Sequence, residues 1–264
     1  MIDLAGHSAL ITGSTKGVGR SIAEAFARAG ANVVIHGRSR DAATEEVLTN
    51  CHGHGVRAEF VAADLMAETI PTVERLFADA LAKIPGIDIL VNNAGNYSDV
   101  PFLEMDYERF ERTMRLNVFS AFFLTQRFAR HWMEKKIAGR VLMIGSINGR
   151  LAEPTHSAYD TSKGAVEMMV RTLCVELAPL GIRVNGLAPG LVRTPLTGVI
   201  DKDERFRRWM ELHTPNHQVP GSDVCGSGAV YLCSDDAWHV HGQMLLVDGG
   251  MSAWQQPDMP AEFK

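Results

Sequence analysis

The chain has 264 residues, of which 46% are hydrophobic and 22% charged, an ordinary balance for a globular protein. Its formal net charge of −5 gives no support for nucleic-acid binding, which favours a basic surface. No apolar stretch is long enough to span a membrane, and the first residues lack the pattern of a signal peptide. The four cysteines show no CxxC spacing, so we expect reduced thiols and a cytoplasmic protein.

Short apolar runs alternate with helical patterns along the chain. The runs predict strands at 8–12, 31–36, 56–62, 87–91, 139–144, 181–187 and 244–247. The intervening spacing predicts helices at 20–29, from 41 onward, and at 71–83, 107–135 and 158–178. Because the strands are almost wholly apolar, we expect helices on both faces of the sheet. The sequence therefore predicts one α/β domain over residues 1–264, with a doubly wound, seven-stranded parallel sheet.

Two segments interrupt this alternation. Residues 194–220 contain a charged insertion, DKDERFRRWMEL, after a predicted strand, and we expect it to form a lid over a substrate site. Residues 251–264 contain two prolines and little apolar periodicity, which predicts an irregular C-terminal tail.

The stretch TGSTKGVG at 12–19 is typical of a loop that holds a phosphate. A Walker A loop is excluded, because Lys16 precedes Gly17 and no serine or threonine follows it. The spacing of Gly13, Gly17 and Gly19 is closer to the dinucleotide fingerprint. There, glycines permit a tight turn, and a helix N-terminus offers free N–H groups to a pyrophosphate. Taken alone, the pattern leaves a simple turn as the alternative.

Further motifs follow in order along the chain. They are NNAG at 92–95, Ser146 after the fifth predicted strand, YDTSK at 159–163, PG at 189–190 and VDGG at 247–250. Together with the glycine-rich loop, they resemble the short-chain dehydrogenase/reductase family of about 250 residues. The resemblance covers nearly the whole chain. It implies a Rossmann-type fold, an NAD(P)(H)-dependent oxidoreductase that interconverts a secondary alcohol and a ketone, and a homotetramer.

The expected catalytic residues are Asn117, Ser146, Tyr159 and Lys163. Tyr159 and Lys163 are four residues apart, so they share one face of a helix. The Tyr159 phenol can give a proton to a carbonyl oxygen or take one from an alcohol, and the Lys163 cation favours the phenolate. Ser146 can hydrogen-bond the substrate oxygen. The resemblance implies that Asn117 holds a water linking the lysine to solvent.

The second predicted strand ends in HGRSR, without the acidic residue typical of an NAD site. Arg38 and Ser39 can pair with a 2′-phosphate, and Lys16 adds positive charge on the same side, so we expect NADP, with NAD as the alternative. From the motifs and the resemblance, the expected cofactor-binding residues are Gly13, Ser14, Thr15, Lys16, Gly17, Val18, Gly19, Arg38, Ser39, Asp64, Leu65, Asn92, Ala94, Gly95, Tyr159, Lys163, Pro189, Gly190, Val192 and Thr194.

Polar side chains surround the expected reacting carbon, which favours a hydroxylated small molecule such as a sugar, polyol or sugar acid. The expected substrate residues are Asn96, Ser146, Asn148, Glu153, His156 and Tyr159. One alternative is a 3-oxoacyl-(acyl-carrier-protein) reductase, with Arg205, Arg207 and Arg208 attracting an acidic carrier. Another is a non-catalytic protein that senses NADP(H). No Cys, His or Asp cluster has convincing metal-ligand spacing, so no metal is expected.

Overall fold

The structure is a computed structural model that describes residues 2–195, 197–198 and 202–254. Its seven strands form one parallel sheet in the order β3-β2-β1-β4-β5-β6-β7. The strands are β1 (Ser8–Ile11), β2 (Asn32–Gly37), β3 (Ala58–Ala62), β4 (Ile89–Asn92), β5 (Arg140–Ile144), β6 (Arg183–Pro189) and β7 (Met244–Val247). The predicted doubly wound, seven-stranded parallel sheet is confirmed, and each strand end lies within two residues of the prediction.

Eight α-helices accompany the sheet in the described part of the chain. They are α1 (Gly17–Arg28), α2 (Ala42–His52), α3 (Thr69–Lys83), α4 (Tyr107–Met114), α5 (Ser120–Lys135), α6 (Ser157–Leu177), α7 (Glu204–His213) and α8 (Val224–Cys233). None of these helices combines the length and apolar character needed to cross a membrane.

The sheet separates two apolar cores, because successive side chains of a strand point to opposite faces. In β1, Ala9 and Ile11 join the core beneath α1, α2 and α8, whereas Leu10 joins the core beneath α3, α5 and α6. The second core includes the fully buried Trp132, whose indole N–H donates to the carbonyl oxygen of Ile87 at 2.7 Å. Because helices pack on both faces of the sheet, they hold the carboxyl ends of the strands in place. The sequence motifs lie at these ends.

The predicted helix over 107–135 contains a break in its hydrogen-bond pattern. Residues Arg115–Phe119 form a π-helical turn between α4 and α5. Single π turns inside helices are rare and occur frequently at functional sites. Asn117 lies in this turn and is buried.

The predicted lid at 194–220 contains α7, whose Met210 packs against Val219 and Leu191. Residues 196 and 199–201 of this segment lie outside the described residues. In the predicted tail, Met251–Ala253 form a short 3-10 turn, and residues 255–264 lie outside the described residues.

Candidate active site

A cleft of about 670 Å³ opens at the carboxyl ends of the strands. It lies where the strand order reverses between β1 and β4, the position at which open parallel sheets bind ligands. Eighteen of the expected site residues line it: Gly13, Thr15, Lys16, Gly17, Val18, Arg38, Asp64, Leu65, Ala94, Gly95, Asn96, Ser146, Tyr159, Lys163, Pro189, Gly190, Val192 and Thr194. The fold thus brings the glycine-rich loop and the serine–tyrosine–lysine set to one cleft.

The remaining expected residues do not line this cleft: Ser14, Gly19, Ser39, Asn92, Asn117, Asn148, Glu153 and His156. The Ser14 hydroxyl donates to the carbonyl oxygen of Ile11 at 2.7 Å, inside the turn. The Asn92 amide donates to the hydroxyl of Thr125 on α5 at 2.9 Å, away from the cleft. Ser14 and Asn92 therefore support the fold around the site.

The glycine-rich turn fits a phosphate-bearing ligand for steric reasons. Gly13 has a φ of +62°, and a Cβ atom there would lie 2.9 Å from the Cα of Ala94. A Cβ atom on Gly19 would lie 2.4 Å from the carbonyl oxygen of Gly13. The N-cap residue of α1, Lys16, makes no side-chain cap, so the first N–H groups of α1 keep their capacity to bind an anion.

Three residues outside the predicted set hold this turn in place. The Thr12 hydroxyl accepts from the backbone N–H groups of Asn93 and Ala94, each at 2.9 Å. The Asn93 amide donates to the carbonyl oxygens of Thr12 and Gly13 at 2.8 and 2.9 Å. His36 lines the cleft and accepts from the Gly13 N–H. In the sequence, Thr12, His36 and Asn93 are recognisable only as polar residues at or just after the ends of apolar strands.

Two basic side chains lie at the end of the cleft next to the end of β2. Lys16 and Arg38 both line the cleft. The Lys16 ammonium lies 3.7 Å from the carboxylate of Asp41, and Arg40 pairs with Glu45. Arg38 forms no ion pair with any residue in the described part of the chain. Its planar guanidinium therefore keeps its hydrogen-bonding capacity for a ligand phosphate.

Lys163 lies one helical turn after Tyr159 on α6, and its ammonium is 5.6 Å from the centre of the phenol ring. The ammonium donates to the carbonyl oxygen of Ile144 at 2.9 Å. Burial lowers the pKa of Lys163 to about 8. The side chain therefore remains mostly cationic at neutral pH.

The pKa of Tyr159 is raised, chiefly because the phenol is buried. A hydrogen bond with Ser146 lowers this pKa, and the charges of Asp160 and Glu153 raise it. The Lys163 ammonium donates to Ile144, and burial has the largest effect on the pKa of Tyr159, so the expectation that Lys163 favours the phenolate stays a prediction. The phenol is protonated here and is suited to donate a proton.

The hydroxyl of Ser146 is oriented by the turn that follows β5. It accepts from the backbone N–H of Asn148 at 3.1 Å, and the Asn148 amide donates to the carboxylate of Asp160 at 2.9 Å. Asn148 thus lies behind Ser146 and fixes its position relative to α6.

Asn117 joins three segments around the site. Its amide donates to the carbonyl oxygen of Asn96 at 2.8 Å and to the hydroxyl of Ser162 at 2.9 Å. Its carbonyl oxygen accepts from the backbone N–H of Asn96 at 3.0 Å. Asn117 therefore fixes the loop after β4 against α6, and its predicted part in proton relay stays a prediction.

Comparisons with known proteins agree with this architecture. Residues 13–252 match a family model described as enoyl-(acyl carrier protein) reductase. The chain is 34% identical over 252 residues to the L-rhamnose 1-dehydrogenase (NADP(+)) of Thermoplasma acidophilum, covering 95% of this chain and 98% of that protein. It is 33% identical over 250 residues to the 3-oxoacyl-(acyl-carrier-protein) reductase of Aquifex aeolicus, covering 95% of this chain and 99% of that protein.

Among solved structures, the gluconate 5-dehydrogenase of Burkholderia cenocepacia in complex with NADP and tartrate matches with a TM-score of 0.88. The two chains are 33% identical, and the match covers 96% of this chain and 98% of that chain. Sequence and fold therefore agree over almost the full length. This chain belongs to the short-chain dehydrogenase/reductase family.

Proposed function

We propose that this protein is an NADP(H)-dependent oxidoreductase that interconverts a secondary alcohol and a ketone on a hydroxylated small molecule. The substrate class is a sugar, polyol or sugar acid. The observation that carries the proposal is that Ser146, Tyr159 and Lys163 line the same cleft as the glycine-rich turn. The similar L-rhamnose dehydrogenase and gluconate 5-dehydrogenase support this substrate class.

NADP is the proposed cofactor, and NAD is the alternative. The uncapped N-terminus of α1 and the close-packed Gly13 turn would hold the pyrophosphate, and Arg38 with Lys16 would bind the 2′-phosphate. The NADP dependence in the name of the rhamnose dehydrogenase and the NADP in the gluconate 5-dehydrogenase structure support this choice. When bound, the cofactor supplies or accepts the hydride.

The chain's own residues supply the proton chemistry and the orientation. The Tyr159 phenol donates a proton to the carbonyl oxygen of a ketone and, in the reverse direction, removes it from the alcohol. Ser146 donates a hydrogen bond to the same substrate oxygen. Lys163 keeps a cation one turn from the phenol, which stabilises negative charge on the phenol oxygen during the reaction.

A 3-oxoacyl-(acyl-carrier-protein) reductase is the second candidate, and the similar Aquifex protein favours it. An acidic carrier would need unpaired positive charge on α7. Arg207 lies 3.9 Å from the carboxylates of Glu204 and Glu211, and Arg208 lies 3.1 Å from Glu204. These pairs within one helix weaken the attraction of Arg207 and Arg208, whereas Arg205 forms no ion pair among the described residues. A non-catalytic NADP(H) sensor is less favoured, because all four expected catalytic residues are present.

The proposed assembly is a homotetramer in the cytoplasm. Apolar side chains that face solvent on α5 and α6 support a subunit interface. They are Phe122, Met133, Met168 and Val175. The four free cysteines are consistent with a reducing compartment. Light scattering of the purified protein would test the assembly.

A cofactor-resolved screen tests the proposed function. Absorbance of the reduced nicotinamide would be followed with NADP and NAD in parallel, against sugars, polyols, aldonates and, in reverse, 3-oxoacyl thioesters. Turnover of a hydroxylated substrate with NADP is expected. Turnover with NAD alone would contradict the role of Arg38 and Lys16. Turnover of thioesters alone would favour the second candidate. Tight NADPH binding without turnover of any substrate would favour the sensor.

A further inference from the structure

Two loops form one wall beside the catalytic tyrosine. We call residues 96–100 and 153–157 the substrate-end loops. The backbone N–H of Val100 donates to the carbonyl oxygen of Thr155 at 2.9 Å, which joins the loops. The Tyr97 and His156 rings pack edge to face with centres 5.5 Å apart, and each ring centre lies 6.2 Å from that of Tyr159. Groups on this wall are therefore close to the reacting centre.

The substrate-end loops contain four buried polar atoms that have no hydrogen-bond partner among the described residues. These atoms are Asn96 Oδ1, Ser98 Oγ, His156 Nδ1 and Ser157 Oγ. His156 Nδ1 lies 3.0 Å from a carboxylate oxygen of Glu153, but the direction of approach does not make a hydrogen bond. Of these residues, Asn96 lines the cleft, and the others lie behind it in the same two loops. The wall beside Tyr159 is therefore polar, which suits a substrate with several hydroxyl groups.

The formal charge on this side of Tyr159 is negative. Glu153 belongs to one substrate-end loop, and the Asp160 carboxylate accepts from the backbone N–H of Glu153 at 3.0 Å. The Glu153 carboxylate lies 3.0 Å from His156, whose ring centre is 6.2 Å from that of Tyr159, and Asp160 follows Tyr159 on α6. Both charges are therefore near the Tyr159 phenol, and both raise its pKa. The substrate-end loops, NYSDV and EPTHS, contain no lysine or arginine. The nearby cation, Lys163, is buried and donates to Ile144.

We infer that Glu153 makes this site selective for uncharged polyhydroxylated substrates over substrates of the same skeleton that carry a carboxylate. A substrate carboxylate beside Tyr159 would be repelled by the charges of Glu153 and Asp160 behind the cleft lining, and neither loop has a lysine or arginine to pair with it. An uncharged polyol meets no such repulsion. The inference rests on the proposed function and narrows its substrate class to sugars and polyols.

Sorbitol and gluconate form a matched pair for the test, because they share a carbon skeleton and differ in charge at one end. The ratio of kcat/KM for sorbitol to that for gluconate would be measured with NADP at about pH 8. We expect a wild-type ratio of about 10 or more and a fall of at least about threefold in Glu153→Gln. Glu134→Gln removes the same charge from an exposed site on α5 and should leave the ratio unchanged.

A pH profile separates an electrostatic role of Glu153 from a merely structural one. Because the Glu153 charge raises the pKa of Tyr159, Glu153→Gln should move the rising, acidic limb of alcohol oxidation, which reports deprotonation of the phenol, to lower pH. Glu153→Asp keeps the charge and should keep most of the selectivity. A wild-type ratio of one or less, or the same ratio in wild type and Glu153→Gln, would overturn the inference.

Binding measurements cover the case in which neither compound is turned over. Thermal shifts of the NADP complex should then show stabilisation by sorbitol and not by gluconate. If NADPH binds but only gluconate, or neither compound, stabilises the complex, the inference is overturned. The proposed cofactor would still stand in that case. Loss of NADPH binding itself would overturn the proposed function, and this inference with it.

Discussion

The Nδ1 atom of His36 accepts a hydrogen bond from the backbone N–H of Gly13 at 3.0 Å, across the carboxyl ends of β1 and β2. The other ring nitrogen, Nε2, lies 3.2 Å from the carbonyl oxygen of Ala63 after β3. This network assigns a neutral ring with its proton on Nε2. Burial lowers the pKa of His36 from 6.5 to about 4. Protonation of Nδ1 would place two donors face to face, so the contact with Gly13 requires the neutral ring.

We predict that His36 contributes to unfolding in acid. Its folded pKa lies below its unfolded pKa, so the ring's stabilising effect is complete above about pH 6.5 and is lost as the pH falls through about 4. Between about pH 7.5 and about pH 5, this group alone should remove about 2 kcal/mol from the free energy of unfolding. Urea unfolding at the two pH values measures the change.

The variant His36→Asn isolates this contribution, because an amide oxygen can still accept from Gly13 but does not titrate in this range. The difference in unfolding free energy between the two pH values should be about 2 kcal/mol smaller in His36→Asn than in wild type. His54→Asn changes an exposed histidine and serves as the control. An identical pH dependence in wild type and His36→Asn would show that the ring does not titrate with folding.

Removing the phenol oxygen of Tyr159 should abolish turnover and leave cofactor binding nearly intact. General acid–base groups contribute about 100- to 10,000-fold, so Tyr159→Phe should lower kcat by at least about 100-fold. NADPH affinity, measured by fluorescence titration, should change by less than about twofold, because the ring itself is kept. Tyr107→Phe removes a hydroxyl from an exposed tyrosine on α4 and is the matched control. Unchanged turnover in Tyr159→Phe would refute the assigned acid–base group.

Local pattern was sufficient to predict the strands, because the central strands β1, β4, β5 and β6 are almost wholly buried and so are mostly apolar. All five residues of β5 are buried, for example, and the prediction missed its start by one residue. The π turn at Arg115–Phe119 could not be predicted, because helical periodicity continues through it. The contacts of Asn117 there join Asn96 and Ser162, which are distant in sequence.

The adjacent asparagines of NNAG show that a motif does not predict which of its side chains reaches the site. Asn92 was an expected cofactor residue, yet it bonds Thr125 on α5, whereas Asn93 reaches the glycine-rich turn. Successive residues at a strand end point in different directions, and a motif alone does not specify which one faces the cleft. The role of His36 depends on Gly13, which is distant in sequence but adjacent in the sheet.

Arg38 should determine the preference for NADP over NAD. Its guanidinium lines the cleft and has no ion-pair partner among the described residues, so Arg38→Ala removes a ready partner for a 2′-phosphate. Charge-assisted hydrogen bonds are worth about 1.5–3 kcal/mol, which corresponds to an increase of about 10- to 100-fold in the Kd for NADPH. The Kd for NADH, which lacks this phosphate, should change little.

The neighbouring Arg40 provides a control for Arg38, since it is also exposed but pairs with Glu45. Arg40→Ala should raise the Kd for NADPH by no more than about threefold. Equal losses of NADPH and NADH affinity in Arg38→Ala would instead indicate a contact with the adenine or ribose common to both cofactors.

Lys163 should destabilise the folded chain, although the proposed reaction requires it. Its pKa is about 8 in the folded chain and 10.5 as an ordinary lysine. Below about pH 8, the ammonium is charged in both states, and its burial costs up to about 3 kcal/mol. Between about pH 8 and about pH 10.5, the side chain is neutral in the folded chain but still charged in the unfolded chain. The cost of burying the charge therefore falls as the pH rises through this range. Above about pH 10.5, the ammonium is neutral in both states and the cost disappears.

Lys163→Met keeps most of the side-chain volume and removes the buried charge, but it also removes the hydrogen bond to Ile144. At about pH 7, the variant should therefore gain about 1–2 kcal/mol, or about 3 °C or more in Tm, while kcat falls at least about 100-fold. Near about pH 10, the gain should shrink toward zero. Lys135→Met, at an exposed position on α5, should show neither effect. A variant less stable than wild type by the same amount at both pH values would show that the buried ammonium carries no pH-dependent cost, which would contradict the lowered pKa of Lys163.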